Sequence, residues 1–201
     1  MDANVELGKY EEAITYADKM VSIRPDLRSY SRVSYLREIH GMVDESIVAM
    51  EMAVAGGYPG MEQTEWARVT LGHLYERYGM QDSAMIQYAI ALAERPNYPF
   101  AIGAMSNCYA AMGQPMKADS LNDVAMSLIP EVSFYVSRAQ RELENGNTAK
   151  ASSMTKEILA MLADDEEAGH QMSLEQARVQ LSLLDNPDKA LEYAMAEYSV
   201  R

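Results

Sequence analysis

The sequence predicts an all-α protein, a right-handed α-solenoid of stacked antiparallel helix hairpins, and three observations carry that prediction. The first is a period. A glycine followed five positions later by a small residue recurs at Gly8/Ala13, Gly41/Ser46, Gly79/Ala84, Gly113/Ala118 and Gly146/Ala151, and Asp185/Ala190 continues the series with aspartate for glycine. Successive turn residues lie 33, 38, 34, 33 and 39 positions apart, the spacing of an array of helical hairpins. The second is a landmark 17 positions after each of the first five turn residues: Pro25, Tyr58 (followed by Pro59), Pro96, Pro130 and Ala163. The third is the apolar spacing between landmarks, which has the helical period.

Each landmark meets a physical demand. A glycine can adopt φ > 0 and stop the first helix of a hairpin. A small residue five positions on lets two helices cross closely. Proline lacks an N–H and ends the second helix. One such stripe is too small to hold a helix alone, so the hairpins must stack.

Taken in order, residues 1–26 form a partial repeat that starts about halfway through its first helix. The repeat at 27–64 holds the loop Gly56-Gly57-Tyr58-Pro59-Gly60 and four extra residues at 61–64, read as a loop insertion. The repeat at 65–98 pairs the stripe Leu71, Leu74, Tyr75 and Tyr78 with Ala84, Tyr88, Ala91 and Leu92. The repeat at 99–131 pairs Met105, Cys108, Tyr109 and Met112 with Ala118, Leu121, Val124, Ala125 and Leu128. Residues 132–170 form a degenerate repeat without a closing proline, and five extra residues near 166–170 read as a second loop insertion. The last repeat, 171–201, is truncated after its second helix; Asp185-Asn186-Pro187-Asp188 forms its turn, with Pro187 expected at the first helical position. Neither end carries the polar cap expected of a solenoid, which points to a piece of a longer protein.

Composition narrows the functional classes. The chain has 201 residues, 48% of them hydrophobic, enough to bury a core. Its net charge of -13 argues against nucleic acid and against anionic lipid surfaces, while leaving room for a basic partner. No apolar run approaches the roughly 18 residues that span a bilayer. The single cysteine, Cys108, cannot form an internal disulfide, which leans towards the cytoplasm; a periplasmic location stays open should a signal peptide precede Met1-Asp2-Ala3-Asn4.

Little in the sequence points to chemistry. His40, His73 and His170 are scattered without metal-ligand spacing. No glycine-rich phosphate motif is present, so neither a cofactor nor a metal is expected. Ser153 and Lys156 fit S-x-x-K but lie midway along a second helix with no K-T-G downstream. The run Asp164, Asp165, Glu166 and Glu167 reads as a solvated loop without the alternation a calcium loop needs. Cys108 has no basic neighbour in sequence and reads as a packing residue, and most of the 16 methionines fall on packing stripes and read as core filling. No catalytic site is expected.

On these landmarks the chain resembles the tetratricopeptide-repeat family. Leu71-Gly72, Tyr75, Gly79, Ala84, Tyr88, Ala91 and Pro96 fall on the family's positions, as do Ser106, Tyr109, Gly113, Ala118, Ala125 and Pro130, and Ser34, Gly41, Ser46, Met50 and Ala53. The resemblance implies a non-catalytic scaffold that binds protein or peptide segments in a groove lined by first helices. The groove positions are Arg28, Ser31, Tyr35 and Glu38; Trp66, Val69, His73 and Glu76; Phe100, Gly103, Asn107 and Ala110; and Phe134, Ser137 and Arg141. Arg28, Tyr35, Trp66, His73, Phe100 and Asn107 are the expected partner-binding residues, with packing against the preceding repeat as the alternative for Trp66 and Phe100. Every lysine falls in a second helix or a turn, so a clamp for chaperone C-termini is not expected, whereas Arg28, Arg32 and Arg77 remain for an acidic group. Three other readings stay open: a substrate-receptor region of an enzyme whose catalytic domain lies outside this chain, a small-ligand or glycan-binding module, and self-association through the repeat ends.

Overall fold

The computed structural model describes residues 1–199, and each regular element among them is a helix. Successive helices pair as hairpins: α1 (Asp2–Glu6) with α2 (Tyr10–Ile23), α3 (Leu27–Ile39) with α4 (Val43–Ala55), α5 (Glu62–Arg77) with α6 (Gln81–Glu94), α7 (Pro99–Ala111) with α8 (Pro115–Leu128), α9 (Val132–Glu144) with α10 (Thr148–Glu167), and α11 (Ser173–Ser182) with α12 (Pro187–Tyr198). The chain forms two compact units, Met1–Leu121 and Asn122–Arg201, so that α8 contributes to both.

The hairpin turns work as the period predicts. Gly79 has φ 78, which brings the Met80 N–H within 2.8 Å of the Tyr75 carbonyl, six residues closed by one bond. The same bond recurs from Met42 to Arg37 (2.9 Å), Gln114 to Tyr109 (2.9 Å) and Asn147 to Glu142 (2.8 Å). The aspartate turn is one residue wider. Asp185 takes φ 48, the Asn186 N–H reaches the Gln180 carbonyl at 2.9 Å, and Pro187 begins α12.

At the crossings Ala13, Ser46, Ala84, Ala118 and Ala151 are completely buried. In three of these hairpins the first helix answers with another small group, Ser34, Gly72 or Ser106. The Ser34 hydroxyl donates to the Ser46 carbonyl (2.8 Å) and the Ser46 hydroxyl to the Ser34 carbonyl (2.9 Å). Ser106 donates to the Ala118 carbonyl at 2.7 Å. Gly72 meets the Tyr88 ring so closely that an added Cβ would lie 2.1 Å from it.

Four expectations need correction. Residues 61–64 do not lengthen a loop: Met61 caps α5 and the next three residues form its first turn, so α5 has 16 residues where α3 and α7 have 13. Buried Thr64 and Glu65 explain it, because the Glu65 carboxylate accepts from the Gly60 N–H (2.9 Å) and from Arg68 (3.0 Å), folding the loop back onto the helix. The second insertion is also helical. With alanine at 163 nothing stops α10, which runs 20 residues and places 164–167 in its last turn before Gly169 (φ 92).

Third, Tyr78, Met112, Val124 and Leu128 are exposed. On α8 the buried stripe is Ala118, Asn122 and Ala125, and a helix that crosses closely through small residues leaves its larger side chains outside. Fourth, the methionines fill the core mostly from its margin. Met50 is buried, while Met80, Met85 and Met105 pack partly buried against a core cluster of the first unit and Met154 and Met172 against that of the second. Met42, Met52, Met61, Met112, Met116 and Met195 are exposed.

Candidate ligand groove

The first helices α3 and α5 of successive hairpins in the first unit border a continuous groove. Its main hollow, about 780 Å³, is lined by Leu27, Arg28, Ser31 and Tyr35 from α3, by Gln63, Trp66 and Thr70 from α5, and by Val5 of α1. A second hollow of about 460 Å³ shares Tyr35 and Thr70 and ends at Glu38 and Arg77. A third, about 350 Å³, shares Arg28 and Gln63 and ends at the loop residues Gly57 and Tyr58. Tyr35 and Trp66 are 48% and 51% exposed, so both aromatic faces are available from solvent.

Most polar groups along this groove are already committed. The Ser31 hydroxyl donates to the Leu27 carbonyl (2.8 Å) and the Thr70 hydroxyl to the Trp66 carbonyl (2.9 Å). Arg32 grips the Asp2 carboxylate through Nε (2.9 Å) and Nη2 (2.7 Å), and that hydrogen bonding holds the Asp2 carboxyl below its ordinary range. Arg77 grips Glu38 in the same manner at 2.7 and 2.8 Å. Arg28 has no ion pair among the described residues, and with Gln63 it is the donor left for a ligand in the main hollow.

A polar node lies further along α5. The Glu76 carboxylate accepts from the Tyr88 hydroxyl (2.5 Å) and lies 2.9 Å from His73 Nδ1 at the same oxygen, while the Cys108 thiol donates to its other oxygen at 2.9 Å. Burial opposes ionisation of Glu76, but the donors from His73, Cys108 and Tyr88 outweigh it and hold its carboxyl below the ordinary value. Burial, aided by that neighbouring carboxylate, pushes the Cys108 thiol up to about 12. Such a thiol stays protonated near neutrality and is a poor nucleophile.

The six expected partner-binding residues divide into two groups. Arg28, Tyr35 and Trp66 share the main hollow. His73 is partly exposed and anchored at the Glu76 node, Phe100 packs its ring edge-on to Tyr98 at 5.5 Å, and Asn107 is exposed; none of these three lines a hollow of the groove. Val69, Gly103, Phe134 and Arg141 are buried rather than groove-facing. The Phe134 carbonyl and the Arg141 guanidinium both bond buried Asn122, at 3.0 and 2.8 Å. Gln63 is a lining residue that the sequence reading missed. It lies three positions before Trp66, on the same helix face, and reading 61–64 as loop hid that phase.

No protein-family model and no curated protein matches the sequence. Solved structures do match. The chain is similar to MamA, at 18% identity and TM-score 0.59 over 84% of this chain and 96% of that one. It is similar to PilF of Pseudomonas aeruginosa, at 12% identity and TM-score 0.65 over 98% and 87%. A third is a tetratricopeptide repeat protein from Parabacteroides merdae, at 14% identity and TM-score 0.61 over 98% and 75%. The fold is that of the tetratricopeptide-repeat proteins. At these identities the likeness concerns the backbone architecture. What this chain binds is set by its own groove, which offers two half-exposed aromatic side chains, one guanidinium without an ion pair among the described residues and one amide.

Proposed function

We propose that this chain is a non-catalytic tetratricopeptide-repeat scaffold that captures a segment of a partner protein along α3 and α5. One observation carries the reading: Tyr35 and Trp66, from successive repeats, line a single hollow while remaining half exposed. Aromatic side chains that no core claims, set beside hydrogen-bonding groups, are the makings of a binding hot spot. A groove held by rigid helix pairs orders a segment without rearranging itself, which lowers the entropic penalty of capture.

The test is a selection of short random displayed peptides on the wild-type chain, followed by affinity measurement on Tyr35→Ala/Trp66→Ala. Enriched peptides should lose more than about tenfold in affinity on the double variant. Because both residues are exposed, its stability should stay within about 0.5 kcal/mol of wild type. Equal affinity for both proteins would remove the groove from the proposal.

A further inference from the structure

We infer that the segment taken by this groove carries an acidic side chain held by Arg28, with a large apolar side chain about three residues away held between Tyr35 and Trp66. This rests on the groove reading above and adds the chemistry of the occupant. Arg32 is matched by Asp2, Arg68 by Glu65, Arg77 by Glu38 and Arg95 by Glu62. Arg28 lines the hollow without such a match. A segment that covered this guanidinium without supplying an anion would desolvate a charge for no return. The Ser31 and Thr70 hydroxyls are turned onto their own helices. The carboxylates that also line the main hollow are engaged, Asp2 by Arg32, Glu62 by Arg95 and Glu6 likewise partnered. Arg28 is thus the one side-chain cation of the hollow left without an ion pair among the described residues.

The chain itself demonstrates the chemistry one turn away. Asp2 lies bidentate on Arg32, four positions after Arg28 on the same face of α3, so a carboxylate fits this surface. Spacing follows from helix geometry. Arg28 and Tyr35 are seven residues apart on α3, roughly 10 Å along its axis. An extended peptide covers that distance in about three residues. The overall charge of -13 favours a basic ligand at long range, but salt screens charges beyond about 8 Å and contacts inside the groove decide register.

The probe is the same displayed library of random peptides, with Arg28→Gln as the second variant. Enriched sequences should place Asp or Glu about three positions from a Leu, Phe or Trp. A synthetic peptide of that consensus should lose about tenfold in affinity on Arg28→Gln and the same amount when its own acid becomes the amide. Combining both changes should bring no further loss. Peptides that depend on Tyr35 and Trp66 but show no acidic preference, or prefer Lys or Arg, would overturn this inference and leave the groove reading standing. If no peptide discriminates wild type from Tyr35→Ala/Trp66→Ala, the groove reading falls and this inference falls with it.

Discussion

The hairpins α5/α6 and α9/α10 obey the same period and fill it with opposite chemistry. Eight, five and four positions before the turn glycine, the first has Leu71, Leu74 and Tyr75; the second has Arg138, Arg141 and Glu142. All six residues are buried. In the first hairpin the crossing is apolar, with the Tyr88 ring seated on Gly72 and Ala84 and Ala91 fully buried. In the second, Glu142 accepts from Arg138 at 2.8 Å, Lys150 at 2.7 Å and Asn147 at 2.7 Å, above a small apolar cluster of Ala139, Ile158, Leu162 and Val179. The turn and the small crossing residue set the backbone, and the remaining interior positions need only be mutually compatible. The two solutions should therefore fail differently.

The largest expected difference comes from breaking the ionic interior. Glu142→Ala removes the common partner of Arg138, Lys150 and Asn147 and should cost about 3–5 kcal/mol. The equivalent change in the apolar hairpin, Tyr75→Ala, loses packing and one hydrogen bond to Glu51 (2.7 Å) instead. Trp66, the sole tryptophan, lies on α5 and reports the first unit by fluorescence, while far-UV circular dichroism reports all helices. In urea, Glu142→Ala should move the dichroism transition ahead of the Trp66 transition. Coincident shifts of both signals would mean that the two interiors unfold as one.

Next in size is Gly72→Ala. The new methyl would overlap the ring of buried Tyr88, and overpacking of this kind costs about 1–3 kcal/mol. In α9 the same position, seven before the turn glycine, is already alanine (Ala139), and the residue nine after it is Thr155 rather than Tyr88. Hence Gly72→Ala in a Tyr88→Thr background should cost clearly less than in wild type, read from the Trp66 transition. An undiminished penalty would show that the ring is not what excludes the methyl.

This comparison also explains how much could be read from the sequence. The turns and crossings were readable because glycine at positive φ and a small residue at a close approach have almost no substitutes. The interior of α9/α10 was not, because Arg138, Arg141, Glu142 and Asn122 look like surface residues until they are seen to neutralise one another. The extra turns of α5 and α10 escaped notice because an interval only counts residues and does not say whether they coil. In the groove, the phase placed Arg28, Tyr35 and Trp66 on one surface. The same phase could not reveal that Phe100 packs on Tyr98 or that His73 meets the Tyr88 hydroxyl, since those partners come from a loop and from α6.

The smallest effect is the response to acid. The Glu142 carboxyl is held below its ordinary value first by the Lys150 hydrogen bond, against burial, with Asn147 and Arg138 assisting; Glu76 is held below it by donors that overcome burial. A carboxyl whose folded value is depressed stabilises above its unfolded value, about 4.3 for glutamate. That stabilisation is lost as pH falls through the folded value. Glu142→Gln should therefore lower Tm near neutral pH by the equivalent of about 1–2 kcal/mol. The gap to wild type should close as the pH drops below about 4, because the wild-type carboxyl is then neutral as well. Glu76→Gln should follow the same course with a narrower gap, since burial is the largest influence on Glu76 and works against its charge. Gaps that stayed constant down to acid pH would mean that neither carboxylate contributes through its charge, and that the two interiors differ in packing alone.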